Sequence, residues 1–467
     1  MPLFGRQKIT AKYEEFTADN AVDQLNAALS VHRRNAAQIR FLYNYYRGNT
    51  PILRRSKEYR QDVNNRVGVA LAQEVISFYT GYLVGRPITY SQHDAKTDRM
   101  QEINQLNDWC RMAQKATCDI DLASWAFICG TSYRSCTEEM AHPEETPFSI
   151  ATLDPQETFV AYSSINTNTP VFACNHRKDA NGGDVYVMYS NDIYVVSDGK
   201  RVTDSGVNSV HNIPIIEDPA NAMRIGAFEP VIPILDAIEN VQSARVDAVQ
   251  QEADAVLTIT GCNTEDENVV AEMAVQLQKL KMLVLPAGAE AKYISAPMRQ
   301  NEIQTLEDSL QATFLSVTGL PNRHGDGSSS DTGAAVTLRD GWTDCETRAR
   351  QFEGRFKDSE VLFLRCAMAI AKIKGKPTLP IADIEPKFPT RNNDNVLLRS
   401  QALQTLIAAG ISTEDALTMV SLVSDPTDVA LRNRDRVDKL LFANTDKTEE
   451  TESTNGNNEG QSQSYAS

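Results

Sequence analysis

Tyr45-Tyr46-Arg47-Gly48, then Asn64-Asn65-Arg66-Val67, then Gly81-Tyr82-Leu83-Val84-Gly85-Arg86-Pro87-Ile88-Thr89-Tyr90: these three blocks, in this order, decide how the chain is read. The apolar run Val75, Ile76, Phe78 and Tyr79 precedes the third block. None of the blocks has a catalytic character, yet they are too patterned to be filler. Tyr46, Tyr82 and Tyr90 read as packing residues, and Gly48, Gly81 and Gly85 as sites of tight turns or close approach.

The rest of the chain sets the limits. Its 467 residues suffice for several domains or one elaborate fold. Hydrophobic residues at 41% and charged residues at 23% fit a soluble globular chain. The longest apolar candidate, 361–371, is too short for a membrane span and contains Arg365. The opening MPLFGRQKIT lacks the apolar core of a signal peptide. Eight cysteines are scattered with no CxxC pair and few nearby histidines, which predicts reduced thiols rather than a zinc site. The net charge of -16 argues against a tight grip on nucleic acid, which needs a basic excess. A chain so acidic guides DNA loosely, if it meets DNA at all.

The segment 19–90 reads as mainly helical, with an amphipathic pattern opening at Leu25, Ala28, Leu29 and His32. Nine basic residues fall between 31 and 66 (Arg33, Arg34, Arg40, Arg47, Arg54, Arg55, Lys57, Arg60, Arg66). They form either a solvated helix face or a contact for DNA or an acidic neighbour. Helix is also expected over 98–136, with Leu106, Trp109, Leu122, Trp125 and Phe127 in the core. Strands are expected over 147–213, where β-branched and aromatic runs alternate with the turn signals Asn181-Gly182-Gly183 and Asp198-Gly199.

A long helix is predicted over 231–257, with Ile234, Ile238, Val241, Ala248, Ala255 and Val256 along one stripe and Asp236, Glu239, Asp247, Glu252 and Asp254 on the others. A second is predicted over 300–318 through Ile303, Leu306, Leu310, Phe314 and Val317, stopped by Gly319 and Pro321. Between them, Thr264-x-x-Glu267 is a capping box for a short helix, and 282–285 and 291–294 read as strands. The loop Asn322-Arg323-His324-Gly325-Asp326-Gly327-Ser328-Ser329-Ser330-Asp331 is flexible in composition. It lacks the lysine of a P-loop and the carboxylates of a calcium loop. From Ala335 to Ile370 a three-four apolar spacing persists, enough for a helix of roughly 54 Å that Gly341 and Gly354 could bend. Three short helices follow over 394–442, one stopped by Gly410, one opened by Ser412-x-x-Asp415 and one by Asp425-Pro426. Beyond Thr445 the chain is polar and acidic, as in disordered segments.

Catalytic chemistry has no visible seat. There is no GxSxG, HExxH or Walker A motif, and the six histidines are dispersed. The sequence offers no catalytic residues, no metal ligands and no cofactor-binding set.

The three opening blocks resemble the YxG, NNR and GYLxGxP elements of tailed double-stranded-DNA bacteriophage portal proteins of the Bacillus-siphophage type. Leu153-Asp154-Pro155 resembles that family's LDP turn, and Thr332-Gly333-Ala334-Ala335 its S-G-x-A helix opening, with Thr for Ser. The resemblance covers most of 20–440. It implies an α+β, predominantly helical portal-type fold with wing, stem, clip and crown parts and one very long helix. The implied boundaries are 1–228 wing, 229–257 first stem helix, 258–298 clip, 299–319 second stem helix and 320–334 tunnel loop. Residues 335–391 would hold the long helix and remaining wing, 392–444 the crown and 445–467 the disordered tail.

The same resemblance implies a ring-shaped DNA channel at one capsid vertex, twelvefold in assembled members of the family. It implies a tunnel loop of Asn322, Arg323, His324, Asp326, Ser328, Ser329, Ser330 and Asp331. The implied channel wall carries Asp247, Glu252, Asp254 and Glu302. Implied partners are other copies of the chain, double-stranded DNA, the terminase large subunit, a head-completion or adaptor protein, and the major capsid and scaffolding proteins, with no membrane. The location implied is the virion, and the host cytoplasm during assembly. Two other readings stay open: another minor head or adaptor protein, and a nucleic-acid-processing enzyme using the basic 31–66 segment.

Overall fold

The computed structural model describes residues 5–58, 61–93, 99–253, 256–260, 290–294, 300–322, 341–388 and 396–420, with the single positions 275 and 429. The architecture is α+β. Helices α1 (Ala21–Tyr46) and α2 (Leu71–Val84) end within the first and third sequence blocks. Strands β1 (Ile9–Thr10) and β2 (Thr89–Gln92) flank them. Helices α3 (Met100–Met112) and α4 (Lys115–Cys129) follow.

Helix α4 stops earlier than expected. Gly130 adopts φ +82°, a left-handed cap that most side chains disfavour, and the chain turns at once into β3 (Thr131–Glu138). The expected helix over 98–136 is therefore two helices and a strand. β4 (Phe148–Leu153), β5 (Thr158–Tyr162), β6 (Pro170–Lys178), β7 (Asp184–Tyr189), β8 (Ile193–Ser197), β9 (Val202–Val207) and β10 (Ile215–Pro219) complete the β region. The hairpin glycines Gly182 and Gly199 both take positive φ, as their turns require.

The main sheet has the order β1-β5-β6-β7-β8-β9, with β1 parallel to β5. A second sheet has the order β10-β3-β4. The N-terminal half of α1 packs Leu25, Ala28 and Leu29 onto Phe159 and Phe172 of the main sheet. Its C-terminal half packs Ile39, Leu42 and Tyr45 into a helical core with α2 and α4.

Helix α5 spans Ile232–Ala253, and α6 spans Gln300–Thr318. Gly319 stops α6 at φ +71°. Val256, expected at the end of the first long helix, instead begins β11 (Val256–Thr260), which pairs antiparallel with β12 (Glu290–Ile294). The capping box at Thr264 and the strand at 282–285 lie outside the described residues. Helix α7 runs for 32 residues, Trp342–Ile373. Gly341 does not bend it: it stands before the first turn at φ +81°. A short strand, β13 (Ile384–Lys387), pairs with β2. Helices α8 (Val396–Ala408) and α9 (Thr413–Val420) follow, and the Ser412 hydroxyl accepts the Asp415 amide at 3.1 Å. The helix expected after Asp425-Pro426 and the tail from Thr445 lie outside the described residues.

Candidate functional site

Helix α5 carries polar residues at Glu239, Ser243 and Asp247, four apart, so they form one row. That row is buried, at 2%, 0% and 3% exposure. The segment 64–69 lies along it and delivers every second backbone amide. Asn65 N donates to Asp247 at 2.7 Å, Val67 N to Ser243 Oγ at 3.0 Å and Val69 N to Glu239 at 3.0 Å. Two extended residues advance about 6.6 Å, and four helical residues about 6.0 Å. The two repeats match closely enough for three successive bonds.

Asp247 is the strongest anchor. Asn65 Nδ2 also donates to it at 2.9 Å, and Arg55 and Lys57 pair with it at 3.0 and 2.6 Å. Burial opposes its charge, but Lys57 and Asn65 outweigh burial and hold its carboxyl down to about 2. Asp247 therefore does not present itself to a channel: its carboxylate is consumed by the strap. The basic 31–66 segment is correspondingly divided. Arg55 and Lys57 serve α5, while Arg33, Arg34, Arg40 and Arg47 remain exposed.

The tyrosines of the sequence blocks do the same kind of work. Tyr45 donates to Asp236 of α5 at 2.9 Å, and Tyr79 to the Thr318 carbonyl at the end of α6 at 2.8 Å. Tyr82 donates to Glu346 and Tyr90 to Glu360, both on α7, at 2.8 and 2.5 Å. Tyr46 stays within α1, its ring against Tyr43. The blocks thus tie α1 and α2 to the three long helices downstream.

Tyr90 ends in a buried ionic cluster. Arg134 of β3 bonds Glu360 at 2.5 Å and Asp218 of β10 at 3.0 Å. Lys115 of α4 bonds Asp119 at 2.7 Å and Glu360 at 3.1 Å. Ser359 donates to Asp218. Burial raises Asp218 to about 6 despite Arg134. Burial also opposes the charge of Glu360, but Arg134 and Lys115 prevail and lower it to about 2. Two cations among three carboxylates, all buried, join α4, β2, β3, β10 and α7. Sequence reading missed Arg134 and Glu360.

The remaining expected site residues are dispersed. Glu302 is exposed on α6. Glu252 lies in the last turn of α5, while Asp254 is outside the described residues. Asn322 is exposed beyond α6, and Arg323, His324, Asp326, Ser328, Ser329, Ser330 and Asp331 are outside the described residues. Among the described residues, His142, Glu144 and Glu145 form the one group with metal-ligand spacing, and all three are exposed. All seven described cysteines are buried.

The model of the SPP1 Gp6-like phage portal proteins matches residues 27–446. The chain belongs to that family. The portal subunit has similar solved structures at low identity. One is the neck of an empty GTA particle computed with C6 symmetry: 13% identity, 75% of this chain and 90% of that chain covered, TM-score 0.48. Another is the virion of a native gene transfer agent particle, at 12%, 75%, 89% and 0.46. A third is the neck of a native GTA particle computed with C12 symmetry, at 10%, 75%, 89% and 0.43. No curated protein matches the portal subunit.

Proposed function

We propose that this portal subunit assembles with copies of itself into a closed ring of twelve at one capsid vertex, and that double-stranded DNA passes through the ring during packaging and ejection. The observation that carries the reading is the family match over residues 27–446. The order of α5, the β11–β12 pair and α6 supports residues 229–257 and 299–319 as stem helices and 258–298 as clip. Val246, Val249 and Leu306 leave an apolar surface on α5 and α6, which suits contact with a neighbouring copy. The wing, tunnel-loop, long-helix, crown and tail boundaries read from the sequence belong to the same proposal.

The subunit's role is mechanical rather than enzymatic. The terminase large subunit docks on the ring and supplies ATP hydrolysis. Scaffolding and capsid proteins surround the ring during assembly in the host cytoplasm, and a head-completion protein seals it in the virion. A net charge of -16 per chain disfavours phosphate adhesion and lets DNA slide. Glu302 and Glu252 are candidates for the channel wall, and Arg323 for transient contact from the loop.

Negative-stain microscopy of the purified chain tests the reading. Rings with a central hole wide enough for a duplex roughly 20 Å across are expected. Persistent monomers, even with scaffolding and capsid proteins co-expressed, would sink it. A nuclease activity surviving stringent purification would favour a processing enzyme instead.

A further inference from the structure

Helix α1 and its cap carry Arg33, Arg40 and Arg47 at intervals of seven, with Arg34 beside the first. Seven residues are nearly two turns, so the three arginines form one stripe about 21 Å long. All four side chains are exposed, and none pairs with a carboxylate among the described residues. Arg40 reaches the amide oxygen of Gln156 at 3.1 Å, and Arg47 lies over the Tyr43 ring. Phe41, seven residues after Arg34, adds an exposed ring alongside.

That stripe is unusual in a chain with 62 carboxylates and 46 basic residues. Copies at -16 repel one another, so a ring needs locally opposite faces where they meet. A head-to-tail contact also needs two different patches on each copy. The complementary patch is the turn between β3 and β4. It holds Glu138, Glu139, Glu144 and Glu145, with Met140 81% exposed. Glu144 and Glu145 are exposed, with His142 Nδ1 3.6 Å from Glu144. Glu138 pairs with Lys374 at the end of α7, which ties this turn to a different part of the subunit from α1.

We propose that the β3–β4 turn of one copy docks on the α1 arginine stripe of the next. Glu144 and Glu145 meet Arg33, Arg40 and Arg47, and the Met140 thioether meets the Phe41 ring. This rests on the ring reading above and names the surfaces that close it. DNA on the stripe is the rival outcome.

Sedimentation velocity of the full chain in low salt tests it. Arg33→Glu with Arg40→Glu should convert rings to monomers, as should Glu144→Arg with Glu145→Arg. A chain carrying all four reversals should recover rings, and thermal melting checks that each variant is folded. In an otherwise unchanged chain, Arg40→Cys with Glu144→Cys should give a ladder of multimers with a bis-maleimide. Intact rings in both two-site variants, no recovery in the four-site chain, or no ladder overturns the docking contact alone. Loss of duplex binding without loss of rings assigns the stripe to DNA and also overturns it. An unaltered chain that never assembles overturns the ring reading and this contact together.

Discussion

Asn65 grips Asp247 twice, through its backbone amide at 2.7 Å and its side-chain amide at 2.9 Å, across 182 residues of sequence. This contact gives the Asn64-Asn65-Arg66-Val67 block its physical meaning. The block is the end of a strap whose amides are spaced to fit the α5 row.

Asp247→Ala should release that strap. It removes an acceptor shared by Asn65, Arg55 and Lys57, and leaves the Asn65 amide without its partner. A cost of about 2–3 kcal/mol is expected, as for charged hydrogen bonds in buried surroundings. Chemical denaturation reads the loss, and limited proteolysis should locate it between residues 55 and 70. An unchanged midpoint would mean that the strap contributes nothing to the fold.

The strands and the α6 helix were legible in sequence because local rules governed them. Runs of β-branched and aromatic residues marked the strands within 147–213, Gly182 and Gly199 marked the turns after β6 and β8, and Gly319 closed α6 where its left-handed φ is needed. Helix α5 was legible in existence, and Ile238 of its expected apolar stripe is buried with Ile234 packed against the same core. Glu239 and Asp247, expected on the other faces, are buried as well, together with Ser243. Leu306, on the apolar stripe expected for α6, is exposed. Hydrophobic periodicity assumes that polar residues face water. It fails where a distant strap supplies partners that no local window contains.

Glu360→Gln should expose the role of the ionic joint. The substitution leaves Arg134 and Lys115 with less negative charge in a fully buried site, and a loss of about 3–5 kcal/mol is expected. Acid titration gives a second reading. Glu360 is depressed to about 2 in the fold, below its ordinary value of 4.5. Its contribution is present above pH 4.5 and disappears as pH falls toward 2. The variant should lack that part of the acid-induced loss in an unfolding series across this window.

Asp218 has the opposite sign. Its folded value of about 6 lies above the ordinary 3.8, so the folded chain holds a proton that the unfolded chain has released. Stability attributable to this group falls as pH rises from about 4 to about 6, and is constant above. Asp218→Asn should flatten the unfolding free energy across that interval. A slope identical to that of the unaltered chain would show that Asp218 is already ionised at pH 4.

Gly130 decides where Arg134 points. Its φ of +82° ends α4 and starts β3 four residues before the arginine, so the turn fixes which face of the strand enters the joint. A Cβ at this position would stand 2.1 Å from the Arg224 carbonyl oxygen, and the obstacle is backbone rather than a flexible side chain. Gly130→Ala therefore combines positive-φ strain with a clash that only movement of the 220–226 loop can relieve. The expected destabilisation exceeds the roughly 1 kcal/mol of backbone strain alone. Because the shift displaces Arg134 from Glu360, the variant should also lose part of the acid dependence assigned to Glu360. A variant destabilised with that dependence intact would show that the turn is strained locally and does not aim the strand.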